Sequence, residues 1–163
     1  MLARILTVVT ISAITLVING SGGQAQGADL RPFVRGDFAA ILAANAGRPA
    51  VVNFWSITCP PCLAEMPALK AFAEQNPSVR LELVSTDSFE DEARIQRTLE
   101  RQGLGEQGSW VFAEAHKTRL RFDIDKSWRG ELPRTYFVGR DGQVHGHSGM
   151  VDAAYLNTWL GKQ

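Results

Sequence analysis

The chain has few of the residues that build covalent or metal-bound frameworks. Its 163 residues include two cysteines and three histidines. It also has no excess charge of one sign: Lys+Arg and Asp+Glu both number 17, so the basic surplus that attracts nucleic acid is missing. No segment repeats, and none is low in complexity. Long hydrophobic runs are scarce too. The one present, Ile5 to Ile18, falls short of the ~20 residues that comfortably span a bilayer. No cysteine lies directly after it, which argues against lipid attachment at a mature N-terminal cysteine. What remains is one domain's length of chain, with 45% hydrophobic residues, enough for a single core.

The N-terminus stands apart from that domain. Met1-Leu-Ala-Arg4 is a short basic lead, Ile5 to Ile18 is apolar with Ser and Thr, and Asn19 to Gly27 is small, polar and glycine-rich. This is the order of a secretory signal peptide, with cleavage after Ala25 or Gly27. An uncleaved membrane anchor from Leu2 to Ile18 is the alternative. Residues 1–28 are accordingly set apart, and either fate exports residues 29–163 to a periplasm-like compartment.

Both cysteines fall in Cys59-Pro60-Pro61-Cys62, directly after the apolar run Ala50-Val-Val-Asn-Phe-Trp55. A strand that delivers C-x-x-C into a helix start is the layout of thiol–disulfide exchange. At a helix start, unpaired N–H groups and the macrodipole favour a thiolate at Cys59. Cys62 lies one turn on, where it can resolve a mixed disulfide formed at Cys59. In an oxidising compartment two cysteines ordinarily make a structural bridge. A bridge across two intervening residues closes a tiny loop, however, and removes little unfolded-chain entropy, so the reactive reading is preferred. A rival Cys2His2 zinc set would need His145 and His147, but H-x-H on a strand is unlike the helical H-x3–5-H of structural zinc sites. No metal and no cofactor is expected.

The spacing predicts a helix Phe38–Ala46 capped by Asp37, a doubly buried central strand Ala50–Trp55, and a helix from Pro60 that stops before Pro77 and is kinked at Pro67. Further strands are expected at Val79–Ser85, Trp110–Ala113, Arg134–Val138 and Gln143–His147, the last two joined through Gly139-Arg-Asp-Gly142. Helices are expected at Phe89–Gln102, at Ala115–Phe122 and from Asp152 through Leu160. The order α-β-α-β-α-β-α-β-β-α argues an α/β protein, a mixed sheet covered by helices.

Asn53-Phe-Trp-Ser-Ile-Thr-Cys-Pro-Pro-Cys-Leu-Ala-Glu-Met-Pro67 closely resembles the active-site stretch of the TlpA/ResA-type thioredoxin-like proteins, exported thiol–disulfide oxidoreductases of which many act in cytochrome c maturation. Leu132-Pro-Arg-Thr-Tyr-Phe-Val138 looks like the family's cis-proline strand, and Leu83-Val-Ser-Thr-Asp87 like the strand end before its insert helix. The resemblance implies a thioredoxin-like fold with an N-terminal extension and an insert helix. It implies Cys59 as nucleophile, Cys62 as resolving thiol, Pro133 as the cis-proline beside them, and Glu65 as a glutamate that tunes the thiols. Leu132 would offer its backbone to an extended client. Asn53 takes the place of thioredoxin's buried aspartate.

Two departures bear on the partner. Thr58 replaces the tryptophan that commonly precedes the first cysteine, and Trp128-Arg-Gly-Glu131 is bulkier and more charged than the usual approach to the cis-proline. Trp128 and Glu131 are therefore candidate substrate contacts, although Glu131 reads equally as an exposed loop carboxylate. Glu65 has a bland alternative as surface charge, and Asn53 reads as a satisfied buried amide. Pro61 before the second cysteine resembles thioredoxin-like reductants, which implies protein disulfides as substrate and a membrane oxidoreductase as electron donor. A periplasmic oxidase or isomerase, and a non-catalytic binding or metal-handling module, are the alternatives. A peroxidase on this fold would carry Pro-x-x-x-Thr-x-x-Cys, where this chain has Val52 and Ser56. The wider cysteine spacing of copper-handling relatives is absent.

Overall fold

The computed structural model describes residues 29–163. The signal or anchor segment expected at 1–28 lies outside the described residues. Elements follow in the order β1 (Leu30–Phe33), α1 (Asp37–Ala44), β2 (Ala50–Trp55), α2 (Pro60–Gln75), β3 (Arg80–Ser85), a 3-10 turn (Phe89–Asp91), α3 (Glu92–Arg101), β4 (Ser109–Phe112), α4 (Lys117–Ile124), β5 (Arg134–Val138), β6 (Val144–Ser148) and α5 (Ala153–Leu160). The six strands form one sheet in the order β1-β4-β3-β2-β5-β6. The first four in that order are mutually parallel, β5 runs antiparallel to β2, and β6 runs antiparallel to β5.

Strand β2 is buried at every position because helices cover both faces of the sheet, as parallel strands require. Its period-two alternation divides the core. Val51 and Trp55 face α2, α3 and α5, packing with Met66, Leu69, Ile95, Leu99 and Leu156. Val52 and Phe54 face the other way, against Phe38 and Ile41 of α1 and Leu120 and Ile124 of α4. Helix α3 buries Ile95 and Leu99, four apart on one stripe, and leaves its charges outside. Each large side chain buried in this way contributes about 1.5–3 kcal/mol.

Three expectations need correction. Strand β1 was not expected, because Pro32 interrupts a run of only four residues. It lies at the sheet edge beside β4, where a strand tolerates proline. Asp37 does not cap α1 from outside. It is the first helical residue after Gly36, whose φ of 93° belongs to the left-handed region that glycine enters freely, and its carboxylate accepts from the Val34 N–H at 2.7 Å. Helix α4 begins two residues later than expected and runs on to Ile124, where Leu120 and Ile124 pack into the second core.

Candidate active site

Parallel β2 and β3 end together, with Trp55 beside Ser85. Antiparallel β5 begins at the same end, where Arg134 faces Phe54. The loop leaving β2, the loop leaving β3 and the turn entering β5 therefore converge.

Residues 56–58 are held from below by one carboxylate. Asp87 accepts from Ser56 Oγ at 2.8 Å, from the Ile57 N–H at 2.9 Å and from Ser85 Oγ at 2.7 Å. Ser56 Oγ in turn accepts from the Thr58 N–H at 3.1 Å. This clamp fixes the path of the chain into Cys59, and sequence reasoning gave Asp87 no such role. The only signal was a short polar run, Ser85-Thr-Asp87, at a strand end.

Cys59 is the N-cap of α2 in extended conformation, followed by proline at the first two helical positions. Those prolines remove two of the N–H groups that a helix start would otherwise present. Of the next two donors, the Leu63 N–H reaches the Cys59 carbonyl at 3.2 Å and the Cys62 N–H reaches Cys59 Sγ at 3.2 Å. The two sulfurs are joined as a disulfide at 2.06 Å. Cys59 is half-buried, whereas Cys62 is 0% exposed. The pair is thus asymmetric, with an outer and an inner sulfur.

Glu65 sits on the same helix at 1% exposure, which overturns its reading as surface charge. Oε1 accepts from Asn53 Nδ2 at 2.8 Å, and Oε2 accepts from the Val151 N–H at 2.8 Å. Burial raises the pKa of this carboxyl above its ordinary value, and the bonds from Val151 and Asn53 only partly oppose that. The Asn53 amide also donates to Thr135 Oγ1 at 2.9 Å, so both Nδ2 hydrogens are used while buried Oδ1 has no partner. Thr135 and Val151 were missed from sequence because Thr135 meets Asn53 across 82 residues of chain and Val151 meets Glu65 across 86.

The Leu132–Pro133 peptide is cis. Pro133 is buried, and its carbonyl accepts from the Gly149 N–H at 3.0 Å. Leu132 packs against both cores, and among the described residues no hydrogen bond reaches its backbone. Exposed Met150 flanks this turn. Trp128, expected as a substrate contact, is instead 4% exposed. Its ring lies 5.0 Å from Phe54, and its indole N–H donates to the Glu131 carbonyl at 2.9 Å. It supports the loop from beneath because an indole this large finds more apolar contact inside than outside. Glu131 remains exposed, accepting from Ser148 Oγ at 2.8 Å and from the Arg129 N–H at 3.1 Å. The same stretch is tied to β5 by Arg134, which donates to Asp125 and to Ser148 Oγ, both at 2.6 Å.

His145 and His147 lie on the edge strand β6. The His147 ring packs on Tyr155 at 4.6 Å. No group of three or more His, Cys, Asp and Glu among the described residues is arranged to hold a metal.

Comparison with known proteins agrees with this geometry. A model of the AhpC/TSA family matches residues 36–147. The chain is 29% identical over 94 residues to sporulation thiol-disulfide oxidoreductase A of Bacillus subtilis, covering 58% of this chain and 49% of that protein. It is 33% identical over 58 residues to the thiol-disulfide oxidoreductase ResA of Halalkalibacterium halodurans, covering 36% and 33%. The chain thus spans about half the length of these curated relatives, or less. A secreted disulfide oxidoreductase of Mycobacterium tuberculosis superimposes with a TM-score of 0.60 at 23% identity, over 74% of this chain and 86% of that one. StoA from Bacillus subtilis gives 0.53 at 19%, over 72% and 86%. The fold is thioredoxin-like, as the resemblance implied.

Proposed function

This chain belongs to the AhpC/TSA family, and from that premise we propose that it is an exported thiol–disulfide oxidoreductase that reduces disulfides in client proteins. One observation carries the reading: a half-buried Cys59 at a helix N-cap, disulfide-bonded to a fully buried Cys62 one turn further on. The reacting sulfur is the one a client can reach, and the resolving sulfur is shielded from it.

In the reduced protein the Cys59 thiolate attacks a client disulfide. One client sulfur leaves as a thiolate and takes a proton, and Cys59 is left in a mixed disulfide. Cys62 then loses its proton, attacks Cys59 Sγ and expels the second client thiolate. The client gains two electrons and two protons, and this chain is left in the disulfide form. Glu65 is the nearby base of raised pKa suited to accept the Cys62 proton. The turn Leu132–Pro133 is the surface on which the client strand lies, with Glu131 at its rim and Trp128 as its support. A dithiol carried by a membrane oxidoreductase returns the two electrons, and an N-terminal segment removed as a signal or retained as an anchor keeps the domain in the compartment where that donor acts. Cytochrome c maturation is the setting in which many TlpA/ResA-type proteins work, and it is the client pathway proposed here.

The peroxidase reading has less support. Val52, at the position of that frame's proline, is a fully buried strand residue, and Ser56, at the threonine position, is engaged with Asp87.

The test is reduction of insulin disulfides by the pre-reduced protein, set beside Cys59→Ser and Cys62→Ser. Wild type is expected to accelerate reduction, with both variants at background. A folded wild type no faster than the dithiol alone would overturn the proposal. Equilibration with glutathione sets the direction: a potential nearer thioredoxin's about −270 mV than the about −120 mV of a strong oxidant marks a reductase.

A further inference from the structure

The Asn53–Glu65 contact contains a mismatch that the reaction itself would expose. Glu65 is bracketed by two donors: the Asn53 amide at Oε1 and the Val151 backbone N–H at Oε2. That arrangement suits a carboxylate, which only accepts. It does not suit a carboxylic acid, whose O–H needs an acceptor. The Val151 N–H is fixed by the backbone, so Oε2 must go on accepting, and an added proton belongs on Oε1. There it would point at Nδ2, donor against donor. The missing acceptor lies on the same amide, because Asn53 Oδ1 is buried and has no partner.

We propose that the Asn53 amide reverses when Glu65 takes up a proton, which makes Asn53 the positioning residue that lets this buried carboxyl hold either charge state. With Glu65 ionised, Nδ2 donates to Glu65 Oε1 and to Thr135 Oγ1, as in this structure. After a half-turn about χ2, Oδ1 occupies that place and accepts from the Glu65 O–H and from the Thr135 hydroxyl. Thr135 serves both states because a hydroxyl both donates and accepts. Aspartate at position 53 could only accept while charged, and a leucine could do neither. One end of the amide is unpaired in each state. A lone carbonyl is the easier end to leave unpaired, so the reversal occurs only when a proton demands it.

No competing charge is bonded to this carboxyl among the described residues. Of the groups around it, Cys62 on its own helix is in the disulfide and does not titrate. The strands contribute Asn53 and Thr135, and the loop contributes Val151. Asp152 beyond it is exposed, its carboxylate accepting from the Tyr155 N–H at 2.8 Å. On β6, His147 is the register partner of Thr135 and packs on Tyr155 of α5. It is the titratable group that the sheet register sets beside Thr135. The functional meaning of the reversal rests on the proposed role of Glu65 in proton transfer, but its test does not depend on turnover.

The experiment uses the oxidised full-length domain, in which neither cysteine titrates. Protonation of Glu65 is followed by its side-chain 13C carboxyl shift. The orientation of Asn53 is followed by the nuclear Overhauser effect between its Nδ2 protons and the Thr135 side chain, and His147 is followed separately by its ring shifts. The effect is expected at high pH and is expected to disappear with the midpoint of Glu65, not with that of His147. In Glu65→Gln the carbonyl must face the Val151 N–H, so the new amide donates toward Asn53 and the effect should be absent at every pH. An Overhauser effect that persists through the Glu65 titration, or that is lost with His147 alone, overturns the inference. Either result leaves the insulin assay untouched, and failure of that assay leaves this measurement readable.

Discussion

Two residues of the same type, three positions apart, are given opposite accessibility by the start of one helix. In the reduced protein Cys59 should therefore alkylate first, with a rate that titrates below the ~8.5 of a free cysteine, because the Cys62 N–H already points at its sulfur. Faster labelling of Cys62, read by peptide mass, would reverse the assigned roles. Cys62→Ala should accordingly accumulate mixed disulfides with clients at Cys59. Glu65 makes a prediction about stability. Its carboxyl has a raised pKa in the fold, against about 4.3 when exposed. Between those two values the folded chain keeps a proton that the unfolded chain has released. The contribution of this group to stability is complete below about pH 4.3 and is lost as pH rises through the folded pKa. Glu65→Gln should lack that slope and exceed wild type above the window, by about 1.4 kcal/mol for each unit of elevation. Urea denaturation of the oxidised proteins at several pH values measures it, and a wild type that gains stability across the window would contradict the assignment. Cys59 and Cys62 were legible as a redox pair from their spacing and their place between a strand and a helix start. Asn53 was legible only as a satisfied buried amide; its amide nitrogen is satisfied by Glu65 and Thr135 from other elements, but its Oδ1 has no partner.

The elements were mostly legible because each carries its own period. Helix α2 was visible in Leu63, Met66, Leu69 and Phe72, and it runs through Pro67 to Gln75. Strand β1 was not visible. Four residues with a proline have no pattern of their own, and β1 exists because β4 presents an edge to pair with. The Asp87 clamp was hidden for the same reason, since it joins the ends of two strands that only the sheet brings together. Asp87→Ala would leave Ser56 Oγ, the Ile57 N–H and Ser85 Oγ without their acceptor, at a cost of about 2 kcal/mol. Thermal denaturation should register that loss, and the alkylation rate of Cys59 should change because its approach loop is released. An unaltered rate in a destabilised protein would confine Asp87 to a structural role.

At the scale of the whole molecule, the loop before Pro133 is part of the second core. Trp128→Ala should cost about 3–5 kcal/mol, as for other fully buried aromatics, and the loss should appear in denaturation before it appears in any client affinity. A variant of wild-type stability with a raised KM would return Trp128 to the client surface. The sequence by itself determined the chemistry, the central strand and helix that carry it, and the alternation of strands and helices that makes a mixed sheet. Spacing, hydrophobic period and turn residues are local, and they act before distant segments meet. Only the tertiary structure decided which face each residue takes. It turned Glu65 inward onto Asn53 and Val151, sent Trp128 beneath its loop, and set β1 at the edge. Burial and hydrogen-bond pairing are properties of segments far apart in the chain, and a side chain acquires them only when the sheet has closed around it.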